Sequence, residues 1–155
     1  EGKTILELGS GHGTYELSKY YKMYSVEHHF DWVGRYDSTY FHCPIVKQED
    51  PVYKKETIPP ELPGVLGDFE EWYDIDTVID KLPKNYDLLL IDGPNSDYRR
   101  TNFISHSHKF NEDAIWVFDD CNRKYDLETY KKCCNQRNTN YEIRDCGQKK
   151  VGIIR

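Results

Sequence analysis

What this sequence lacks narrows it first. No apolar stretch approaches the ~20 residues that cross a bilayer, and no signal-peptide core follows the N-terminus. Basic residues do not dominate: 21 Lys and Arg stand against 27 Asp and Glu, a net charge of −6. That balance argues against a nucleic-acid partner, whose affinity comes largely from basic side chains neutralising phosphates. The cysteines (Cys43, Cys121, Cys133, Cys134, Cys146) are odd in number and show no C-x-x-C spacing. Neither a zinc site nor a disulfide framework is indicated, and reduced thiols in a cytoplasmic setting are the simpler reading. Gly2-Lys3-Thr4 lacks the upstream glycine of a phosphate-binding P-loop. Internal repeats and low-complexity segments are absent.

The length of 155 residues fits one domain, 1–155, able to hide roughly two-thirds of its unfolded surface. Its most informative stretch is ILELGSGHGT, residues 5–14. An apolar run reads as a buried strand, and Gly9, Gly11 and Gly13 follow it at alternate positions. Glycine is required where backbone turns with positive φ or passes close to a ligand. Glu27 closes a second apolar run, 18 residues after Gly9. A carboxylate there can accept hydrogen bonds from ribose hydroxyls, as in dinucleotide-binding units. A pocket for an adenosine-containing cofactor is therefore expected.

The spacing is G-x-G-x-G rather than the dinucleotide G-x-G-x-x-G, and a carboxylate, Glu7, precedes it. Beside a pyrophosphate that carboxylate would be repulsive; beside a cationic sulfonium or ammonium group it is favourable.

Apolar runs alternate with helix-like segments, which argues for a parallel sheet with helices on its faces. Strands are expected at residues 4–8, 23–28, within 40–48, at 87–92 and at 114–118. Helices are expected at 14–21, around 31–37, at 75–82, 98–108 and 126–136. Residues 54–67, with three prolines and two glycines, read as a loop or insertion. Residues 141–145 and 150–154 flank Cys146-Gly147-Gln148 as a hairpin. The fold class is thus α/β, Rossmann-like and doubly wound. Its mostly parallel sheet ends in an antiparallel hairpin, whereas a dinucleotide domain would more often add another crossover.

Ligands of open α/β sheets bind outside the carboxyl ends of the strands. Glu7, Glu27, Asp92, Asp119 and Asp120 all fall on that edge, which favours a shared site over five unrelated turn residues.

The pattern E-x-G-x-G-x-G, followed by an acidic residue closing the next strand, resembles the S-adenosylmethionine (SAM) site of class I methyltransferases. That family has a seven-stranded sheet whose last strand is antiparallel. The resemblance implies cofactor contacts at Glu7, Gly9, Ser10, Gly11, His12, Gly13, Glu27, His28 and Asp92. Asp92, Asp119 and Asp120 resemble in placement the metal ligands of catechol-type O-methyltransferases, with Asp-Asp where those have Asp-Asn. Such oxygen ligands suit Mg²⁺ or Mn²⁺; the alternative is a metal-free site with Asp92 or Asp120 as general base. Nearly the whole chain is similar to sugar and polysaccharide O-methyltransferases, through SVEHHFDWV, WYD, YDLLLIDGP with a downstream arginine, and FDDCNR. Class I methyltransferases usually carry helices before the first strand, so the start at Glu1-Gly2 fits a domain excised from a longer protein. Glycan-modifying enzymes of large DNA viruses, with fused glycosyltransferase domains and a place in the host cytoplasm, are one such setting.

The resemblance implies O-methyl transfer to a sugar hydroxyl of a glycan or glycoconjugate. The alternatives are methylation of a catechol or other small-molecule hydroxyl with an essential metal, or a non-catalytic SAM-fold binding module. Arg99, Arg100 and Arg123 are candidates to hydrogen-bond acceptor oxygens, and Tyr98, Trp72 and Tyr73 to cover sugar C–H faces. His106 and His108 are weaker candidates for a base, two residues apart and so on different sides of a helix.

Overall fold

The computed structural model describes residues 3–53, 69–95 and 97–155; the expected insertion at 54–67 lies outside them. The strands are β1 (Thr4–Leu8), β2 (Lys22–Glu27), β3 (Thr39–His42), β4 (Ile45–Lys47), β5 (Glu71–Tyr73), β6 (Leu88–Ile91), β7 (Ile115–Phe118), β8 (Glu142–Asp145) and β9 (Lys150–Ile154). The helices are α1 (His12–Ser18), α2 (Phe103–His106) and α3 (Lys124–Gln136).

Seven strands form one sheet in the order β3-β2-β1-β6-β7-β9-β8, with β4 and β5 paired separately. From β3 to β7 all pairings are parallel, whereas β9 runs against β7 and β8 against β9. Parallel strands are covered on both faces, which is why β1, β6 and β7 read as continuous apolar runs rather than alternating ones. The edge strand β8, with sequence EIRD, is mostly exposed and charged, which blunts edge-to-edge pairing.

The core gathers on Phe103, which is fully buried. Its ring meets Trp72, Phe110, Trp116 and Phe118 at centroid distances of 5.5–6.2 Å. At the far side, the Tyr130 hydroxyl accepts from Glu142 N–H (2.6 Å) and lies 2.9 Å from the Glu142 carbonyl it donates to. Its ring occupies the space where a Cβ on Gly152 would sit, 2.6 Å away. Gly152 thus lets α3 press onto the hairpin.

Three expected helices are broken up. Residues 31–37 form only turns, interrupted by Gly34 at φ +76. Residues 75–82 make two single 3₁₀ turns, Ile75–Thr77 and Ile79–Lys81. The 98–108 segment is a 3₁₀ turn, the short α2 and a second 3₁₀ turn. The 40–48 region holds two strands in different sheets, because Cys43 and Pro44 turn the chain out of the main sheet after β3.

Candidate active site

Register sets the site. Leu8 pairs with Val26 on one side and Ile91 on the other, and Ile91 pairs with Phe118. The residues one step further on (Glu27, Gly9, Asp92 and Asp119) therefore stand in one row at the carboxyl edge. Backbone bonds carry the ladder into that row: Gly9 N–H to Val26 O (2.8 Å), Asp92 N–H to Leu8 O (3.0 Å) and Asp119 N–H to Ile91 O (3.1 Å). Neighbouring strands lie about 4.8 Å apart, which puts Glu27 and Asp92 about 10 Å from each other across Gly9.

Gly9 has φ +93, and a Cβ there would stand 2.8 Å from the Gly93 backbone. A Cβ on Gly93 would strike the Gly9 backbone and the Tyr73 hydroxyl. The β1 loop and the β6 loop thus meet backbone against backbone. Gly93-Pro94 is a cis peptide.

Beneath this seam lies a polar network. Thr14 Oγ1 donates to Glu7 Oε1 (2.7 Å) and accepts the Gly11 N–H (3.0 Å). Ser25 Oγ also donates to Glu7 Oε1, at 2.5 Å, and Ser10 Oγ bridges Thr14 and Tyr40. Glu7 is 2 % exposed, and burial pushes its carboxyl up to about 7. The Glu7 carboxyl points inward and holds the glycine loop through Thr14 and β2 through Ser25.

Glu27 is also buried. Its carboxylate accepts backbone N–H bonds from Ser10 (2.8 Å), His28 (2.7 Å) and His29 (2.7 Å). Burial alone would raise its pKa, but the His28 ring and these N–H donors outweigh it and hold the carboxyl below its ordinary value. His28 Nδ1 lies 2.9 Å from Glu27 Oε1 but off a good hydrogen-bond direction. His12 is exposed and meets Trp32 edge-on, with its Nδ1 3.3 Å from Tyr36 Oη. Gly11 and Gly13 have open space where a Cβ would be.

At the other end of the row, Asp92, Asp119 and Asp120 offer oxygens within 4.8 Å of one another. Asp120 turns the chain at φ +57, a left-handed conformation that Asp tolerates. Arg100, on the 3₁₀ turn before α2, is 6 % exposed. Its Nη2 donates to Asp92 Oδ1 (3.1 Å) and Asp120 Oδ2 (3.2 Å), and its Nη1 to Asp119 O (3.1 Å). Lys149, beside the hairpin turn, reaches Asp119 Oδ2 (2.5 Å) and Asp120 Oδ1 (3.2 Å), and Arg123 reaches Asp120 Oδ2 (3.1 Å). The protein packed around Asp92, opposed by Arg100 and aided by Asp119, pushes its carboxyl up to about 6. Burial would raise Asp119, but the Lys149 hydrogen bond holds it low.

These neighbours decide how the cluster would receive a metal. The spacing suits a shared ion, but the charges do not. Three carboxylates already face three cations, Arg100, Arg123 and Lys149. A divalent ion would add positive charge beside a guanidinium that cannot lose its proton. At 4 Å a divalent ion and a single positive charge repel by about 8 kcal/mol near a protein surface. The residues present do not fit a divalent metal.

Other expected roles separate on burial. Arg100 is spent inside the cluster rather than turned to an acceptor, and Asp120 is buried beneath its three cations. Arg123, 46 % exposed at its side chain, and Asp92, 41 % exposed, keep accessible surface. Trp72 and Tyr73 are core residues at 0 % and 1 % exposure, with Trp72 stacked on His106 at 4.9 Å. His106 is engaged there and with Gln48 at 2.8 Å. Tyr98 is half-buried, edge-on to His28 at 5.5 Å. Arg99 lies over the Phe69 ring, 5.5 Å from its centroid. Sequence reasoning missed Thr14, Ser25 and Lys149, whose partners are distant in the chain or carry no motif.

No protein-family model matches the sequence, and no curated protein does. Solved structures share the fold. A precorrin-6y C5,15-methyltransferase from Geobacter metallireducens superposes with a TM-score of 0.56 at 11% identity, over 99% of this chain and 79% of its own. A precorrin 8w decarboxylase of Methanobacterium thermoautotrophicum gives 0.54 at 10% identity, over 99% and 81%. The chain therefore has the seven-stranded Rossmann-like methyltransferase fold.

Proposed function

We propose that this chain is a SAM-dependent O-methyltransferase acting on a sugar hydroxyl of a glycan or glycoconjugate. The observation that carries the reading is the row Glu27–Gly9–Asp92. It sets a buried carboxylate and an accessible one about 10 Å apart on either side of a seam without side chains. That separation suits a nucleoside whose ribose is bound at Glu27 and whose reactive group reaches Asp92. A solved structure that shares the fold is named a methyltransferase.

When bound, the donor supplies an electrophilic methyl group on a sulfonium. The chain's task is to align a hydroxyl with it and to take the hydroxyl proton as the new O–C bond forms and the S–C bond breaks, S-adenosylhomocysteine leaving. Asp92 is the base in this reading, since Asp120 is buried under its cations. Alignment is worth up to roughly 7–11 kcal/mol in favourable systems, and a positioned base typically adds ~10²–10⁴-fold. Arg123, paired with Asp120, is the acceptor contact at that end in this reading, and Tyr98, edge-on to His28, offers an aromatic face suited to sugar C–H surfaces.

Calorimetry tests the donor: SAM and S-adenosylhomocysteine should bind and NAD should not. Labelled-methyl transfer to free sugars rather than phenols tests the acceptor. Absence of binding by either sulfur nucleoside would end the proposal. Transfer to a phenol but to no sugar would replace its second half.

A further inference from the structure

We propose that Arg100 and Lys149 stand where a divalent ion would be held, so that methyl transfer here needs no metal, and that Lys149 is a positioning residue for Asp92 acting through Asp119. The role of Lys149 and the metal-free turnover rest on the methyl-transfer reading above; the occupation of the ion's place by Arg100 and Lys149 does not.

The oxygens can be followed one by one. Arg100 Nη2 bridges Asp92 Oδ1 and Asp120 Oδ2, and Lys149 Nζ bridges Asp119 Oδ2 and Asp120 Oδ1. Each cation thus joins two carboxylates, as a bound ion does. Arg100 is fixed by burial, and its second nitrogen is held by the Asp119 carbonyl.

Lys149 is 53 % exposed at its side chain, yet its backbone is anchored. The Lys149 carbonyl accepts the Cys146 N–H (2.8 Å) across a turn that Gly147 makes at φ +85. The next residue's carbonyl, Lys150 O, accepts the Cys121 N–H at 2.7 Å, tying the hairpin to the loop that carries Asp119 and Asp120. Asp119 in turn lies within hydrogen-bond reach of the Asp92 carboxyl.

The chemical consequence is specific. A bound ion would take the acceptor oxygen as a ligand, whereas an ammonium whose contacts are carboxylates only balances charge and holds Asp119. Among the described residues Arg100 is the cation paired with Asp92, at Oδ1, so Lys149 acts on Asp92 through Asp119.

The test uses the full chain and Mn²⁺ as the probe. Electron paramagnetic resonance of free Mn²⁺ should be undiminished by equimolar protein, and EDTA should leave turnover unchanged. Lys149→Met removes one charge from the cluster, so Mn²⁺ affinity should rise by about tenfold or more. In the same variant kcat should fall about tenfold with KM for the donor unchanged, while Lys149→Arg keeps most of the activity. A purely structural lysine would lower the melting temperature without creating an ion site. Lys149→Gln replaces the methionine variant if that one does not fold.

Stoichiometric Mn²⁺ binding by the unaltered chain that disappears in Asp119→Asn would overturn the first half. A Lys149→Met protein that gains no Mn²⁺ affinity would overturn it too, and an unchanged kcat would overturn the second half. The Mn²⁺ titration needs neither donor nor acceptor. Its failure is therefore distinct from failure of the methyl-transfer reading, which SAM calorimetry decides.

Discussion

The two ends of the carboxylate row neutralise their charge by different means. At Glu27 the charge is met chiefly by main-chain N–H groups of Ser10, His28 and His29. At Asp92, Asp119 and Asp120 it is met by the side chains of Arg100, Arg123 and Lys149. Main-chain donors cannot be mutated away, and they pre-form the end that the proposed function assigns to the methyl donor. Side-chain cations can each be removed, so the end it assigns to the acceptor is where the site can be retuned.

Breaking the acceptor end should have the largest effect. Asp92→Asn is expected to lower kcat by roughly 10²–10⁴-fold, measured by labelled-methyl transfer. In the unaltered enzyme kcat/KM should rise with pH through about 6, as Asp92 loses its proton, and that limb should vanish in the variant. Arg100→Met strands carboxylates beside an empty volume and should cost about 3–5 kcal/mol in urea unfolding.

The buried network under the glycine loop sharpens the contrast through pH. Glu7 is raised from 4.5 to about 7, so the folded chain keeps a proton that the unfolded chain releases above about pH 4.5. Its contribution to stability is fully present at low pH and declines as pH climbs from about 4.5 to 7. The loss totals roughly 3 kcal/mol. Glu7→Gln, which resembles the protonated form, should flatten that slope in pH-dependent unfolding; an unaltered slope would refute the assignment. The smallest effect is expected at Glu27→Gln. The backbone donors remain, and SAM affinity should fall about ten- to hundred-fold by calorimetry, as for loss of charged hydrogen bonds.

Much of the sheet was legible because its strands are continuous apolar runs, and the predicted first strand coincides with Thr4–Leu8. The final hairpin was readable from the turn at Gly147. The helices after β2 and after Pro94 were not. Phe30, Trp32 and Tyr36 mimic an amphipathic spacing, but Phe30 stacks on His42 at 4.0 Å and Gly34 breaks the turn. The acidic edge was visible as residue types at strand ends. Its cations were not, since Lys149 stands 30 positions from Asp119 and Arg100 19 from that residue's carbonyl. Trp72 and Tyr73, candidates to cover a sugar face, lie in the core, since nothing local tells a buried ring from a displayed one.

The contact of Gly9 with Gly93 has a mechanical meaning. With no side chain on either residue, the loop after β1 and the loop after β6 lie backbone on backbone, and a Cβ on either glycine would wedge them apart. The position of Asp92 is therefore tied to that of the glycine loop.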